Sequence, residues 1–274
     1  MKKLLVATDF SNCARNAMEY AMELAKIMQV EVCAINAIGS TEGINNNIYD
    51  ALYIEDYYNN KREALKEWAK TFTNSEGFGS IKVSTYCEVG SVSSVISKYL
   101  GTNEVELLVM GTMGSTGISG IFGSNVNTMV SKTTTPTLVI PLESKFSMKP
   151  VITLATDFSS NLSKEDIEIL NELISTSQAD KLNVINIIEG SSEWKTNEAG
   201  EEQLKQLITT TETEFNYINE NNTIDGIMNF IVSNKTDILC LVNRHHNMLY
   251  RIFNRGTVNQ VMNKTIKAVL VLHE

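Results

Sequence analysis

The chain is short of the residues that most often hold metals or run acid–base chemistry, with three histidines and four cysteines among 274 residues. Cys13, Cys33, Cys87 and Cys240 form no C-x-x-C pair, which fits reduced thiols serving as small core residues. His245 and His246 are neighbours, but no second group of Cys, His or carboxylate stands at ligand spacing, so no metal site is assigned. Positive charge is scarce as well: 23 basic against 32 acidic residues leave a net charge of −9 and a pI near 5.0. The counterion-release attraction on which nucleic-acid binders rely is therefore missing, and no nucleic-acid partner is expected. Apolar runs are brief, Ala268 to Leu272 being among the longest, whereas a bilayer crossing needs about 20 residues, so no membrane partner is expected either. Asp9 interrupts the apolar stretch after Met1-Lys2-Lys3, which does not fit a secretory signal, and a cytoplasmic location is expected. No G-x-G-x-x-G follows the first apolar run, and no G-x-x-x-x-G-K-[ST] or G-x-S-x-G occurs. Dehydrogenase, P-loop and hydrolase-elbow chemistries lose their sequence support, and no catalytic residue is assigned.

What is present is a repeat. Ala7-Thr8-Asp9-Phe10-Ser11 recurs as Ala155-Thr156-Asp157-Phe158-Ser159, each copy following a short apolar run and preceding a helical pattern. Ile35-Asn36-Ala37-Ile38 recurs as Ile185-Asn186-Ile187-Ile188, and both copies end on an apolar run, Thr137 to Ile140 and Ala268 to Leu272. A tandem duplication follows, with domains over 1–143 and 150–274 and a linker from Glu143 to Pro150, because proline opposes both helix and internal strand. Hydrophobic residues at 43% and charged residues at 20% suit two folded, globular domains.

Within the first copy, apolar strands alternate with helical patterns. Leu4 to Thr8 reads as a strand. Ala14, Ala17, Met18, Ala21, Leu24, Ala25 and Met28 then share one helical face, with Ser11 or Asn12 as cap. The spacing further predicts strands over 30–37, 81–89, 105–110 and 137–140, and helices over 50–71, 91–100 and 124–132. Nearly all-apolar strands separated by helical crossovers specify an α/β fold with a parallel sheet covered on both faces. Trp68, Trp194, Tyr53, Tyr57 and Tyr58 fall on second-helix patterns and read as packing, and the acidic stretch Glu198 to Glu214 reads as a solvated helix face.

Two features stand after strands, where open parallel sheets place ligands: Asp9, and the loop from Gly111 to Ser124, which holds five of the fifteen glycines. Absent Cβ atoms let main-chain N–H groups approach an anion, and a helix opening at Ser124 adds further donors, so phosphate binding is the chemistry this pattern suits. A surface loop tolerated after a strand is the competing reading, and for Asp9 the competing reading is a turn or capping carboxylate.

The start Leu4-Leu-Val-Ala-Thr-Asp9-Phe-Ser11, the segment Glu106-Leu-Leu-Val-Met-Gly111-Thr-Met-Gly114 and the ending Gly123-Ser124 followed by Pro136-Thr-Leu-Val-Ile-Pro141 together resemble the universal stress proteins in their tandem, two-domain form. The resemblance implies two doubly wound domains, each a five-stranded parallel sheet in the order 3-2-1-4-5, joined as an intrachain pseudo-dimer in which Thr137 to Ile140 faces Ala268 to Leu272. It implies an adenine nucleotide, ATP or AMP, between strands one and four of the first domain, with Ala7, Thr8, Asp9, Ala37, Met110, Gly111, Gly114, Gly123, Ser124 and Asn125 around it. Magnesium would accompany ATP through its phosphate oxygens and Ser124. Two departures from the family motif stand out: only eight residues separate Gly114 from Gly123, one fewer than the family's nine, and Val126 replaces a common Ser or Thr. By the same resemblance Val242 and His245 of the second copy align with Gly111 and Gly114, and Arg255 or Gly256 with Gly123, so that copy is expected to be degenerate, filled and nucleotide-free, the alternative being that Arg244, His245, Arg251 and Arg255 bind an anion directly instead of neutralising Asp157 and the acidic surroundings.

The expectation is a cytoplasmic regulator that binds adenine nucleotide in its first domain, with at most feeble hydrolysis. The alternative is a nucleotide-free scaffold acting through protein contacts. A homodimer and an unidentified regulatory protein are the further partners this reading allows.

Overall fold

The structure, a computed structural model, describes residues 2–39, 42, 51–113, 123–158, 162–189, 196–243 and 255–273. The chain divides into two compact units, Met1–Gly111 and Thr112–Glu274.

In the first unit, β1 (Lys3–Ala7), β2 (Glu31–Ile38), β3 (Val83–Val89) and β4 (Leu107–Thr112, whose last residue enters the second unit) are laid side by side in the order β3-β2-β1-β4, all parallel. The register aligns Ala7 with Ile35 on one side and with Met110 on the other, so three strands end together. Helix α1 (Asn12–Met28) connects β1 to β2, α2 (Ala51–Thr73) connects β2 to β3, and α3 (Val92–Leu100) connects β3 to β4. Ser11 caps α1: its Oγ accepts from Ala14 N at 3.2 Å, while Gln29 closes the helix in the left-handed region at φ 57°. The apolar face read from the sequence is the buried one, with Ala17, Met18, Ala21 and Leu24 fully covered. Each large apolar side chain so buried contributes roughly 1.5–3 kcal/mol relative to exposure, offsetting the entropy of ordering the chain. Boundaries of the first four strands shift by one or two residues from the sequence expectation, and α2 runs to Thr73.

The second unit contains α4 (Ser124–Lys132), β5 (Thr137–Pro141), β6 (Ile152–Ala155), α5 (Lys164–Thr176), β7 (Lys181–Glu189), α6 (Glu198–Leu207), β8 (Glu212–Glu220), α7 (Thr223–Ser233), β9 (Ile238–Asn243), α8 (Arg255–Lys264) and β10 (Ala268–His273). The second repeat is complete here, as β8-β7-β6-β9-β10, which is the order 3-2-1-4-5 in its own count. All its neighbours are parallel. Strand β5 pairs antiparallel with β10, setting Val139 against Val269, Leu138 against Leu270 and Thr137 against Val271. That is the pairing of last strands expected from the sequence. It covers a strand edge that would otherwise offer free N–H and C=O groups to another chain. Thr137, Val139, Val269 and Val271 have no solvent exposure, and Leu138 and Leu270 have 1% each, so the seam is a core rather than a contact of surfaces.

The stretch 142–151 forms neither helix nor strand. It is nevertheless tied down: Leu142 N donates to Thr112 O at 2.9 Å, Ser144 N to Pro141 O at 3.0 Å, and Val151 N to Asp237 Oδ2 at 3.0 Å. One expectation needs correcting. The acidic stretch 198–214 is not a single helix face: α6 ends at Leu207, and Glu212 and Glu214 belong to the edge strand β8. The β-branched Ile208, Thr209, Thr210 and Thr211 are poor continuers of a helix, and Ile208 turns to an extended conformation at ψ 96°.

Candidate functional site

The site expected from the sequence begins where β1 ends. Thr8 N still completes the ladder by donating to Ile35 O at 2.9 Å, and the chain then turns sharply. Phe10 takes φ 65°, an uncommon conformation for a bulky residue, and three side-chain bonds hold it there. Thr8 Oγ1 accepts from Phe10 N at 3.0 Å, Asp9 Oδ1 accepts from Ser11 N at 3.0 Å, and Asn36 Nδ2 donates to Thr8 O at 2.7 Å. Asp9 is thus a turn carboxylate, as one of the two sequence readings held, and it is also exposed. One oxygen serves the turn while the side chain faces solvent. Burial first, and the Asp9 carboxylate second, push the Cys13 thiol above its ordinary pKa, so Cys13 stays a protonated core residue.

Ala37 lies one alternation beyond Ile35 on β2. Residues i and i+2 of a strand send their main-chain groups to the same side, so those of Ala37 point toward the β1 side, past its final rung. The Ala37 side chain is half-buried. Just beyond, Glu42 accepts from Gly39 N at 2.9 Å and from Tyr57 Oη at 3.0 Å and pairs with Lys61 at 3.1 Å; these contacts, the Gly39 amide foremost, hold its carboxyl below the usual range. Met110 is buried and aligned with Ala7, and Gly111 follows it. The first unit therefore brings Ala7, Thr8, Asp9, Ala37, Met110 and Gly111 to one edge.

Gly111 has a structural duty that the sequence reading did not assign. A Cβ there would stand 2.5 Å from Cys13 C and 2.9 Å from Ala14 N, so only glycine admits the first turn of α1 against β4. Gly123, in contrast, faces open space, with no atom within 4 Å of the place a Cβ would take. It is the N-cap of α4, with φ −51° and no side-chain cap, and its carbonyl accepts from Val126 N at 3.0 Å and Asn127 N at 3.3 Å. The amides of Ser124 and Asn125, in the first turn, have no acceptor within the helix, and both residues are exposed. Val126 is buried, so its replacement of a hydroxyl residue serves packing. Gly114 lies outside the described residues, as do Arg244, His245, Arg251 and Trp194.

The sequence reading missed Asn36. It is 7% exposed inside an apolar strand and is the side chain that fixes the Thr8 turn. The second repeat builds the same device: Asn186 Nδ2 donates to Thr156 O at 2.8 Å, Phe158 N to Thr156 Oγ1 at 3.0 Å, Thr156 N to Ile185 O at 3.0 Å, and Phe158 takes φ 59°. A polar residue repeated at the same place in two apolar strands was the available signal.

Strand order, parallel pairing and a polar edge at the strand ends define a tandem doubly wound α/β protein. Residues 1–141 match the universal stress protein family, and the chain belongs to that family. A relative from Staphylococcus saprophyticus assigned to the same proteins is 30% identical over 144 residues, covering 52% of this chain and 84% of its own. A counterpart from Staphylococcus haemolyticus is 29% identical over a stretch of the same length, covering 86% of its own chain. Among solved structures, a universal stress protein from Archaeoglobus fulgidus covers 98% of this chain and 97% of its own, with a TM-score of 0.76 at 17% identity. A Pseudomonas aeruginosa protein covers 99% and 92%, with a TM-score of 0.62 at 13% identity. At such identities these two likenesses concern the fold alone. Among the described residues no helix is long and apolar enough to cross a membrane, and no group of three or more His, Cys, Asp or Glu is placed to hold a metal.

Proposed function

We propose that this protein is a stress-response regulator that binds an adenine nucleotide, ATP or AMP, through its first repeat, residues 1–143, and that the second repeat, 150–274, is a diverged copy. The observation that carries the reading is the edge formed by Ala7, Thr8, Asp9, Ala37 and Met110. There a strand backbone extends past its neighbour beside an exposed carboxylate, a combination suited to the edge of a purine and to ribose hydroxyls. Ala37 would meet the base through its main chain, and Asp9 would accept from the ribose through the oxygen that does not serve Ser11.

The phosphates are assigned to the start of α4. Gly123 fits that role because no atom occupies the space its missing Cβ leaves, and Ser124 and Asn125 present first-turn amides at the positive end of the helix dipole. Gly114 would add a further main-chain donor. Magnesium, carried in on ATP, would be met by the Ser124 hydroxyl. Gly111 supports the site by letting α1 close on β4. Binding, with hydrolysis at most slow, is the proposed activity, in a cytoplasmic protein.

Calorimetry of the full chain with ATP and with AMP tests this. Saturable binding is expected, and Asp9→Ala should weaken it about tenfold, the loss of one charge-assisted hydrogen bond. No heat at millimolar nucleotide would defeat the proposal. It would favour a scaffold acting through a protein partner, a second reading supported by the engagement of Asp9 in its own turn and by the eight-residue spacing between Gly114 and Gly123.

A further inference from the structure

The two repeats share the turn after their first strand but treat the space beside it differently. In the first unit the ring of Phe10 meets Trp68 of α2 edge-on at 5.9 Å, Trp68 meets Phe72 at 4.8 Å, and Leu65 is fully buried, so large side chains fill the ground beneath the turn. Helix α2 has 23 residues with which to do this; its counterpart α6 has 10.

In the second unit Phe158 lies against Gly200 of α6. A Cβ on Gly200 would stand 2.5 Å from Phe158 Cβ, so only glycine lets α6 approach Phe158 this closely. Next to it is a cavity of about 250 Å³ whose lining side chains are mostly apolar, Leu154, Phe158, Leu162, Leu204, Leu207 and Val242 among them, while Thr156, Gln203 and main-chain atoms make nearly half of its surface polar. Phe158, Leu162 and Leu207 are only half-buried, and Gln203 is exposed, which places the mouth on the α6 side. Thr156, 6% exposed, accepts from Phe158 N and keeps a hydroxyl proton to donate. The wall behind Phe158 is itself aromatic, with Phe215 and Tyr217 each at 6.1 Å between ring centres.

We infer that this cavity is a binding site for a small, uncharged aromatic molecule bearing one polar group. Size and lining set the class. An apolar cavity of roughly 150 Å³ admits benzene, so this one takes a ring with a short substituent or a second fused ring. Small-molecule sites are concave with apolar walls and a few polar groups to fix orientation, and the Thr156 hydroxyl and Gln203 beside aromatic and aliphatic walls meet that description. The site arises from the shortening of α6, not from the glycine loop, and it is independent of nucleotide binding by the first repeat.

The test uses the full chain with methyl-labelled Leu, Ile and Val, titrated with indole and with toluene and followed by NMR. Both probes should shift the Leu154, Leu162, Leu204, Leu207 and Val242 methyls in a saturable way and leave the first-repeat methyls unmoved. Leu204→Phe, which fills the cavity, and Gln203→Trp, which caps it from an exposed position, should each lower indole affinity at least tenfold. The second variant keeps the test decisive if the first does not fold. Millimolar ATP should not displace indole. Absence of saturable shifts, unchanged affinity in the folded variants, or displacement by ATP would each overturn the inference.

Discussion

Asp166 offers the sharpest test of how the second unit is held together. It is fully buried in the first turn of α5, where Ser163 Oγ accepts from Asp166 N at 3.1 Å and donates to Asp166 Oδ2 at 2.6 Å. His273 N, on β10, donates to the same oxygen at 3.0 Å, so one carboxylate oxygen joins the start of a helix to the end of the last strand. The other oxygen, Oδ1, has no partner among the described residues. Burial outweighs the bonds from Ser163 and His273, with Glu165 adding repulsion, and raises the group from 3.8 to about 6. Because the folded-state value is the higher one, the stability it confers is fully present below about pH 4 and is lost as pH rises through 6. The loss is complete by pH 8 and amounts to about 3 kcal/mol at 1.36 kcal/mol per unit. Asp166→Asn keeps the size and removes the charge, so other titrating groups cancel in the difference between variant and parent. Urea unfolding at pH 4.5, 6 and 8 should show the variant gaining on the parent by about 2 kcal/mol across that range. Direct titration of the Asp166 carboxyl carbon by NMR should give a midpoint near 6. A midpoint near 4, or a stability difference that does not change with pH, would refute the account of burial as the dominant cause.

The two glycines flanking the loop should part company on substitution. Gly111→Ala places a methyl on the backbone of Cys13 and Ala14 and is expected to cost about 1–3 kcal/mol, as overpacking does, whereas Gly123→Ala, facing open space at φ −51°, should change the thermal midpoint little; comparable losses at both positions would contradict this division of roles. Asn36→Ala and Asn186→Ala each strip a buried carbonyl of its donor and should cost about 1–3 kcal/mol; calorimetric unfolding checks it, and a loss at one position only would show that the repeats do not share the device.

Strand and helix identities were legible because each repeat obeys its period so consistently. Apolar runs such as 4–6 and 268–272 are buried on both faces, and the α1 stripe is the buried stripe of that helix. The repeat itself disclosed the fold, since Ala-Thr-Asp-Phe recurs at the same structural place, 7–10 and 155–158. The division into compact units was harder to foresee. Proline and polar residues mark the link at 143–150, but β5 is drawn by its antiparallel pairing to β10, a partner more than a hundred residues away, and no local signal reports such a contact. The packing role of Gly111 was hidden for a similar reason: a glycine required by a neighbouring helix reads in sequence like a glycine required by a phosphate. Glu212 and Glu214 were misread because acidic residues on an edge strand and on a solvated helix have the same composition, and only the β-branched run 208–211 separates them.

The shared geometry of the two turns explains how the second repeat can diverge without unfolding. Thr8 and Thr156 hold a phenylalanine at positive φ, and Asn36 and Asn186 anchor the same carbonyl, by bonds that involve no ligand. The motif that first drew attention as chemistry is thus, in both copies, a way of turning a strand into a helix. What a copy does with the ground beyond that turn depends on the elements that reach it. In the first unit α2 fills the space with Trp68 and Phe72, and in the second the short α6 packs Gly200 on Phe158 and a cavity remains beside that contact. Lost glycines in the second loop therefore need not mean a silent domain, because the cavity there is built mainly from residues outside the phosphate motif, with Val242, at the place of Gly111, in its wall.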